Sequence, residues 1–289
     1  MSTAPEFAVV TVLHNSATEL AALLESLATA SPAPAQTIVV DAGSSDDGLA
    51  LAAAAGCTTV DAGNVGFGAA NNAGIELVEA PVTVLLNPDI VVSSPETLGA
   101  LAALAQAQNA LHFPRLIGAD GNVQDSAHRL PGTLRELPLA LVPQRLAPPP
   151  WQSRHTKEVG WAIAAAVAAR TSTLQDIGPF HPDQFLFFED LDLCLKARAK
   201  GVPSVLHPEI EFVHTGGHST TRAYDGEPFE LLARRRREVV AANLGPQALV
   251  RDDIAQTLTY AARGLFKPRP RRQLAALRTA RAEGRPPGA

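Results

Sequence analysis

Cysteines and long apolar runs are scarce in this chain of 289 residues, and each shortage excludes a class of protein. The two cysteines, Cys57 and Cys194, form neither a CxxC pair nor a metal-ligand cluster, which argues against a disulfide-stapled scaffold and a structural zinc site. The longest apolar stretch, residues 159–169, is too short to cross a bilayer. The N-terminal residues also lack a signal-peptide pattern, so we expect a cytoplasmic protein whose cysteines are core thiols.

Positive charge is in deficit overall but concentrated near the C-terminus. The net charge is −5, which disfavours nucleic-acid binding. Residues 234–237 are four consecutive arginines, and residues 263–285 contain eight Lys or Arg against one acid. This basic tail has two interpretations: it contacts anionic lipid head groups at the inner face of the cell membrane, or it is a solvated chain end.

Short β-branched runs alternate with Ala/Leu-rich helical patterns through the first 107 residues. Hydrophobic residues make up 46% of the chain, which is enough for a large core. This alternation predicts an α/β fold with a doubly wound, mostly parallel sheet. The predicted strands are 7–13, 37–40, 58–60 and 82–86, and the predicted helices are 17–30, two that end near 55 and 79, and 95–107.

The pattern is less regular after Phe113. Residues 130–150 are rich in proline and are predicted to run over the surface. The other predicted elements are a buried strand at 159–169, helices at 171–177 and up to 200, strands at 202–206 and 209–213, and C-terminal helices at 227–243 and 252–266.

Polar clusters follow several predicted strands, at the sheet edge where ligands bind in open α/β folds. Asp41 either accepts a hydrogen bond from a nucleobase or forms a turn. The Asn87-Pro88-Asp89 sequence either ligates a divalent cation that also holds a diphosphate, or is a turn. His214 either completes the shell of that metal or is structural.

Two further segments are candidates for chemistry. The Gly-rich loop at residues 63–72 precedes a helix, so it either approaches a phosphate or is a plain turn. Residues 184–195 surround Glu189, Asp190 and Asp192 with aromatic and leucine side chains. Burial would raise the pKa of such a carboxylate and suit a general base, whereas the alternative is a helix cap.

Five motifs occur in an order and at spacings that resemble the family 2 inverting glycosyltransferases of the GT-A fold, over roughly residues 7–222. Residues 159–161 and 218–220 add a likeness to bacterial cell-wall rhamnosyltransferases, which act on polyprenyl-diphosphate-linked GlcNAc. The motifs are Val-Thr-Val-Leu-His-Asn-Ser at 10–16, Val-Val-Asp-Ala-Gly-Ser at 39–44, Asn-Val-Gly-Phe-Gly at 64–68, Leu-Leu-Asn-Pro-Asp at 85–89 and Phe-Phe-Glu-Asp-Leu-Asp-Leu at 187–193.

The resemblance implies a role for individual residues and a Mg or Mn cofactor. Asn87 stands where the family's metal motif often begins with Asp, and residues 162–166 place methyl groups near the acceptor site, where relatives often have small polar residues. The implied roles are nucleotide-sugar binding for Thr11, Asp41, Gly66, Asn71, Asn87 and Asp89, metal binding for Asp89 and His214, general base for Asp190, and acceptor contact for Trp161 and Glu189.

The resemblance also implies a domain order and a reaction. A GT-A domain is expected at 1–222, with a nucleotide-binding half at about 1–110 and an acceptor-binding half at about 111–222, followed by C-terminal helices and the basic tail at 223–289. The expected reaction moves L-rhamnose from dTDP-rhamnose to a lipid-linked or glycan acceptor with inversion. The alternatives are a UDP-hexose or UDP-galactofuranose donor, or a catalytically silent scaffold protein.

Overall fold

A nine-stranded mixed sheet organises the larger part of the chain in the computed structural model, which describes residues 6–181, 186–216 and 226–284. The strands in chain order are β1 (Phe7–Leu13), β2 (Gln36–Asp41), β3 (Thr58–Asp61), β4 (Val82–Leu86), β5 (Ile90–Val92), β6 (Leu111–Ile117), β7 (Ala127–His128), β8 (Lys157–Val159), β9 (Trp161–Ala162), β10 (Ala166–Arg170) and β11 (Ser204–His214).

Helices flank this sheet and also form the C-terminal part of the chain. They are α1 (Ala17–Ala28), α2 (Gly48–Ala54), α3 (Phe67–Glu76), α4 (Pro95–Ala107), α5 (Glu136–Leu139), α6 (Thr171–Ile177), α7 (Glu189–Ala199), α8 (Phe229–Leu244), α9 (Pro246–Gly264) and α10 (Pro268–Glu283).

The order of strands in the sheet is β3-β2-β1-β4-β10-β6-β11-β5. β8 lies outside this order and pairs with residues 204–206 of β11. β3, β2, β1 and β4 run parallel, so their carboxyl ends meet at one edge. β10 runs antiparallel to β4, and Ala166 lies opposite Leu86, so the turn before β10 reaches that same edge. The structure therefore confirms the predicted α/β class with a mostly parallel sheet in the first half.

The core is built around β1, in which every residue is buried. Val9 and Leu13 belong to the same apolar cluster as Leu20 and Leu23 of α1, whose leucines repeat at helical spacing. On the other face, α3 approaches so closely that a Cβ on Gly74 would lie 2.4 Å from Val10 Cγ1.

Two sequence predictions about single elements were wrong. Residues 159–169 do not form one strand, because β8, β9 and β10 divide them among different partners. The two predicted strands at 202–206 and 209–213 are one strand, β11, whose pairing with β6 shifts register between His207 and Glu211. For the basic tail the sequence left lipid contact and a solvated end as alternatives, and the structure places residues 268–283 in α10, which buries Ala276, Leu277 and Ala280.

The described residues form two compact units, 6–128 with 150–216, and 129–149 with 226–284. The sequence prediction placed 129–149 in the acceptor half, whereas this segment packs with the C-terminal helices and its α5 contacts α9. Arg251 Nε donates a 2.6 Å hydrogen bond to the Gly132 carbonyl, which helps to hold it there. Within the described ranges, no helix has the length and apolar character needed to cross a membrane.

Candidate active site

Asp41 lies at the end of β2, beside Leu13 at the end of β1. Its Oδ1 accepts hydrogen bonds from the backbone N–H of Ser44 at 2.9 Å and from the Ser44 hydroxyl at 2.5 Å. Asn15, which follows β1, accepts a 2.8 Å bond from the Ser45 N–H and steadies the same turn. Asp41 therefore forms a turn, and a nucleobase donor would have to use its Oδ2.

The Gly-rich loop packs directly against this turn. A Cβ on Gly43 would lie 2.9 Å from the Asn64 nitrogen, so Gly43 must lack a side chain for the two loops to meet. Gly66 precedes α3 at φ 85° and ψ 166°, a conformation that favours glycine. The loop before α3 therefore packs beside the turn that Asp41 forms, and the nucleotide-binding role of both segments stays a prediction.

Two predicted nucleotide-sugar residues are enclosed. Thr11 is fully buried within β1, and its hydroxyl oxygen has no hydrogen-bond partner among the described residues. Asn71 is 2% exposed, and its amide nitrogen donates a 3.0 Å bond to the Phe67 carbonyl one turn earlier in α3. Neither side chain offers an open contact surface in this conformation, so both roles stay predictions.

Asn72, the next residue, makes a contact that the sequence did not predict. Its side-chain amide bonds the Phe180 backbone twice, by donation to the carbonyl at 2.9 Å and by acceptance from the N–H at 3.2 Å. Gly68 allows this approach, because a Cβ there would lie 2.9 Å from Phe180 Cβ. The Gly-rich helix thereby positions the chain that leads toward the acidic segment.

Asp89 and His214 lie together, as the resemblance implies for a metal pair. His214 Nε2 is 3.4 Å from Asp89 Oδ1, and Asp89 Oδ2 accepts a 3.1 Å bond from the Gly216 N–H. Gln124 orients the imidazole, since its Oε1 lies 2.8 Å from His214 Nδ1 and its Nε2 donates to the His214 carbonyl at 2.8 Å. Burial of Asp89 acts to raise its pKa, but the hydrogen bond and charge of His214, together with hydrogen bonds from the backbone of Asp89 and Gly216, hold the pKa below its ordinary value.

These side chains fit a hard divalent cation only in part. A carboxylate oxygen and an imidazole nitrogen suit Mg or Mn, and the buried Asn87 Oδ1 lacks a hydrogen-bond partner among the described residues. However, the described ranges contain no group of three or more His, Cys, Asp or Glu side chains arranged to hold a metal. The remaining ligands would have to come from water molecules and from the phosphates of a bound nucleotide. His218, in the motif at 218–220, lies outside the described residues.

The acid pair begins α7 directly after two strained residues. Phe187 and Phe188 have φ values of 71° and 62°, which are unusual for side chains of this size. This backbone turns Glu189 and Asp190 into the first helical turn, where Asp190 Oδ1 accepts a 2.7 Å bond from the Leu191 N–H. Asp192, the third acid of the motif, is buried and pairs with Lys196 at 3.1 Å.

Glu189 and Asp190 have strongly perturbed acidities. Burial, followed by the negative charge of Asp190, raises the pKa of Glu189 to about 8. Burial raises the pKa of Asp190 to about 6, against hydrogen bonds from backbone groups of Leu191, Asp190 and Ala164 that lower it. Near neutral pH the pair therefore holds one proton, with Asp190 ionised and Glu189 protonated.

One turn, residues 163–165, connects this pair to the proposed metal ligands. The Ala164 backbone lies close enough to the Asp190 carboxylate to lower its pKa, and the Ala165 carbonyl accepts a 2.8 Å bond from the Asn87 N–H. The contacts are made by backbone groups, so the alanines predicted as a departure from the family pattern do not prevent them. Asp190 and the Asn87–Asp89 motif thus border the same turn.

Trp161 precedes that turn and is 6% exposed. Its ring stacks on His128 with centroids 4.1 Å apart and lies 6.0 Å from the Phe188 ring. Its indole nitrogen has no partner among the described residues. Trp161 therefore packs near Phe188, the residue directly before Glu189. Its predicted contact with an acceptor stays a prediction.

Contacts in the structure link predicted site residues into two groups: Asp41 with the Gly-rich loop through Gly43 and Asn64, and Asp89, His214 and Asn87 with Asp190 through the turn at 163–165. Sequence reasoning left Gln124 out altogether, and it assigned Asn72 and Ala164 no contact of the kind that the structure shows. Their partners are more than 25 residues distant in the chain, with Gln124 and His214 separated by 90 positions, so no local pattern marks them.

A family model described as "Glycosyltransferase like family 2" matches residues 5–241. The chain belongs to this family. As a family 2 glycosyltransferase, it is 28% identical over 240 residues to the N-acetylglucosaminyl-diphospho-decaprenol L-rhamnosyltransferase of Mycobacterium tuberculosis, covering 74% of this chain and 77% of that protein. It is also 25% identical over 166 residues to the low-salt glycan biosynthesis hexosyltransferase Agl10 of Haloferax volcanii, covering 55% of this chain and 52% of the relative.

Solved structures of glycosyltransferases share the fold of this family 2 protein. The mannosyltransferase PcManGT from Pyrobaculum calidifontis, in complex with GDP-Man and Mn²⁺, has a TM-score of 0.58 at 17% identity, covering 99% of this chain and 78% of that one. S. aureus TarS 1-349 in complex with UDP-GlcNAc has a TM-score of 0.57 at 18% identity, covering 96% and 88%. These likenesses confirm the GT-A architecture.

Proposed function

We propose that this protein transfers L-rhamnose from dTDP-rhamnose to a polyprenyl-diphosphate-linked GlcNAc, with inversion at the anomeric carbon. The observation that carries the proposal is the turn at 163–165, which contacts both Asp190 and the Asn87–Asp89 motif. The 28% identity to the mycobacterial rhamnosyltransferase supports this choice of donor and acceptor.

Asp190 acts as the general base. Its carboxylate, ionised near neutral pH, takes the proton from an acceptor hydroxyl as that oxygen bonds to the anomeric carbon. The bond from that carbon to the nucleoside diphosphate breaks on the opposite face, so one displacement inverts the centre. The raised pKa of about 6 makes Asp190 a stronger base than an exposed Asp while keeping it ionised near neutral pH.

Glu189 is proposed to contact the acceptor in its protonated form. One of its carboxyl oxygens, Oε2, is buried without a hydrogen-bond partner among the described residues. With a pKa of about 8, it carries a proton at neutral pH and donates a hydrogen bond to an acceptor oxygen. Trp161 holds Phe188 next to it and thereby fixes the direction of the acid pair.

A Mg or Mn ion would be held by Asp89 and His214, with Asn87 Oδ1 nearby. Such an ion would supply positive charge to the diphosphate leaving group. Asp41 and the Gly66 loop are proposed to hold the nucleotide, because donors at a helix N-terminus favour phosphate. Thr11 and Asn71 are proposed to support that pocket from within. Because a lipid-linked acceptor lies at a membrane, the basic C-terminal residues are also proposed to contact that membrane.

A donor panel tests the proposal. Purified protein with Mn²⁺ and polyprenyl-diphosphate-linked GlcNAc is given dTDP-rhamnose, UDP-galactofuranose, UDP-glucose or GDP-mannose, and the lipid-linked product is measured. We expect transfer from dTDP-rhamnose, a loss of roughly 10²–10⁴ in turnover for Asp190→Asn, and no loss for the exposed control Asp176→Asn.

The panel separates the alternatives. Faster transfer from another nucleotide sugar would move the donor assignment to that sugar. Near-normal turnover in Asp190→Asn would remove Asp190 as the base. If calorimetry finds no nucleotide-sugar binding at all, the protein is a silent binding relative and the proposed reaction is wrong.

A further inference from the structure

Large apolar side chains are exposed mainly in the second unit. Of the nine that are exposed among the described residues, seven lie within 129–149 or 226–284. Two of them, Leu265 and Phe266, are adjacent in the chain and are 71% and 86% exposed. They lie at the corner where α9 ends and α10 begins. Contiguous exposed apolar surface that is rimmed by polar residues is typical of sites that contact a protein or a membrane.

Unneutralised positive charge surrounds this corner. Residues 263–278 contain six Lys or Arg and no acid, and one of the six, Arg269, pairs with Glu227 at 2.9 Å. Elsewhere in the unit, arginines have acidic partners, as Arg236 has Asp252 at 2.8 Å and Arg237 has Asp253 at 3.5 Å. By contrast, Lys267, Arg272 and Arg278 form no ion pair with any acidic side chain in the part of the chain that the structure describes.

A shallow groove beside the corner combines the same two chemistries. Leu265, Leu274 and Tyr260 line it together with Arg271 and Arg278. Arg271 Nε donates a 2.5 Å bond to the Gly264 carbonyl, so the chain is tied across the corner and the groove has a fixed wall. An apolar floor with guanidinium groups around it suits an acyl chain and its phosphate head group.

The apolar surface continues along α9. Val250 and Ile254 are 58% and 41% exposed and lie one turn apart on the helix. At helical spacing, the next apolar residues on the same face are Leu258 and Ala261, and Leu265 follows directly after the helix. An apolar stripe that ends in a basic corner is the pattern of a helix that lies in a membrane interface.

We propose that the corner formed by Leu265, Phe266, Lys267, Arg272 and Arg278 is a docking site for bilayers that contain anionic phospholipids. The two apolar side chains enter the interface, and the cations bind the phosphate head groups. The biological purpose of this docking site rests on the proposed function, because an enzyme with a lipid-linked acceptor works at a membrane. Its evidence is independent of the transferase chemistry.

Vesicle co-sedimentation without any sugar substrate tests the docking site. The full chain is mixed with vesicles of phosphatidylcholine and phosphatidylglycerol in equal parts, or of phosphatidylcholine alone. We expect binding to the mixed vesicles that weakens as salt is raised, and little binding to phosphatidylcholine alone.

Two variants divide the contributions. Leu265→Ser with Phe266→Ser is expected to bind the mixed vesicles roughly tenfold or more weakly, and Arg272→Gln about fivefold more weakly. The matched controls are Leu77→Ser, an apolar residue 42% exposed in the first unit, and Arg198→Gln on α7. Both controls should bind as the wild type does. Circular dichroism of the double variant should match the wild type, because both side chains are exposed.

Several outcomes would overturn the docking site. They are failure of the wild type to bind anionic vesicles, equal binding to uncharged vesicles, or unchanged binding by the double variant. A wild type that sediments as a dimer without vesicles, and a double variant that is monomeric, would assign the corner to self-association instead. Activity of the double variant toward a water-soluble acceptor should stay normal, so a failure of the transferase proposal is recognised separately.

Discussion

Glu189 and Asp190 carry the same functional group at adjacent positions, yet their surroundings give them opposite protonation states near neutral pH. Asp190 receives backbone hydrogen bonds that favour its ionised form, whereas Glu189 has an unpartnered buried oxygen and a negative neighbour. Hydrogen bonds to the charged form lower a pKa, and desolvation with like charge raises it. This difference supports the assignment of the base to Asp190.

The pH dependence of turnover should follow from this pair. Asp190 must lose its proton to act as a base, so kcat/KM is expected to rise with pH through about 6 and to fall again through about 8 as Glu189 ionises. Glu189→Gln should keep the lower midpoint near 6, because Glu189 is still protonated there, and should remove the upper one. An initial-rate profile that keeps its upper limb in this variant would refute the assignment.

The same shifts set the sign of a stability effect. Both folded-state pKa values lie above the ordinary 4.5 of Glu and 3.8 of Asp, so the folded protein retains protons that the unfolded chain releases. The contribution of the pair to the free energy of unfolding is therefore full below about pH 4 and is lost as the pH rises toward 8. Urea titrations should show that Glu189→Gln reduces this loss.

Gln124 should affect metal affinity although it does not touch the proposed metal. It holds both the ring and the carbonyl of His214, so Gln124→Ala frees the imidazole to rotate. We expect the Mn²⁺ concentration for half-maximal activity to rise by roughly 10–100-fold, the usual effect of losing a group that orients a ligand. EDTA should abolish the wild-type activity, and Mn²⁺ should restore it.

Gln108→Ala is the control for this prediction, since that residue is exposed and offers only its backbone carbonyl to His112. Full activity of the wild type in chelator would remove Asp89 and His214 from a metal role. A metal requirement unchanged in Gln124→Ala would show that His214 needs no support from Gln124.

At the scale of elements, the approach of α3 to the sheet depends on Gly74. A methyl group there would lie 2.4 Å from Val10 Cγ1 and 3.1 Å from Val40 Cγ2. Alanine favours a helix by about 1 kcal/mol over glycine, whereas overpacking a core costs about 1–3 kcal/mol. The packing cost prevails because both neighbours are β-branched residues of buried strands.

Gly74→Ala is therefore expected to lower the free energy of unfolding by up to about 2 kcal/mol in a urea titration. Val10→Ala removes the methyl group that clashes, so the double variant should lose less than the two single variants together. Strict additivity of the two losses would show that α3 shifts freely and does not press on β1.

At the scale of the whole molecule, the second unit contains a buried ionic network. Arg236 binds Asp252 through two bonds of 2.9 and 2.8 Å, and Gln256 donates to Asp252 at 2.7 Å. The attraction and hydrogen bond of Asp252 raise the pKa of Arg236 despite its burial. Asp252 is 2% exposed, so removal of its partner would strand a charge in the interior.

Arg236→Met is expected to cost about 3–5 kcal/mol of unfolding free energy, because a buried carboxylate loses its cation. Asp252→Leu added to it should recover most of that loss, since an apolar pair of similar volume can replace a buried ion pair. Circular dichroism during urea unfolding measures both. Arg235→Met is the control, as that residue pairs with the exposed Glu238. Equal losses for Arg236→Met and the control would show that the network does not stabilise the unit.

The sequence by itself determined the α/β class, the first four strands and the polar residues that follow them. Alternation of β-branched runs with helical leucine spacing is a local property, and it holds wherever burial continues along the segment, as in β1. The same locality explains the error at 159–169, where apolar residues serve three different strands.

Only the tertiary structure decided which of the candidate residues act together. The turn at 163–165 joins Asp190 to Asn87, and Gln124 reaches His214, through contacts between segments far apart in the chain. Burial likewise decided the protonation of Glu189, because desolvation depends on every atom that surrounds a group and not on its neighbours in sequence. Local sequence patterns therefore determine the helices and strands, whereas long-range packing determines the site.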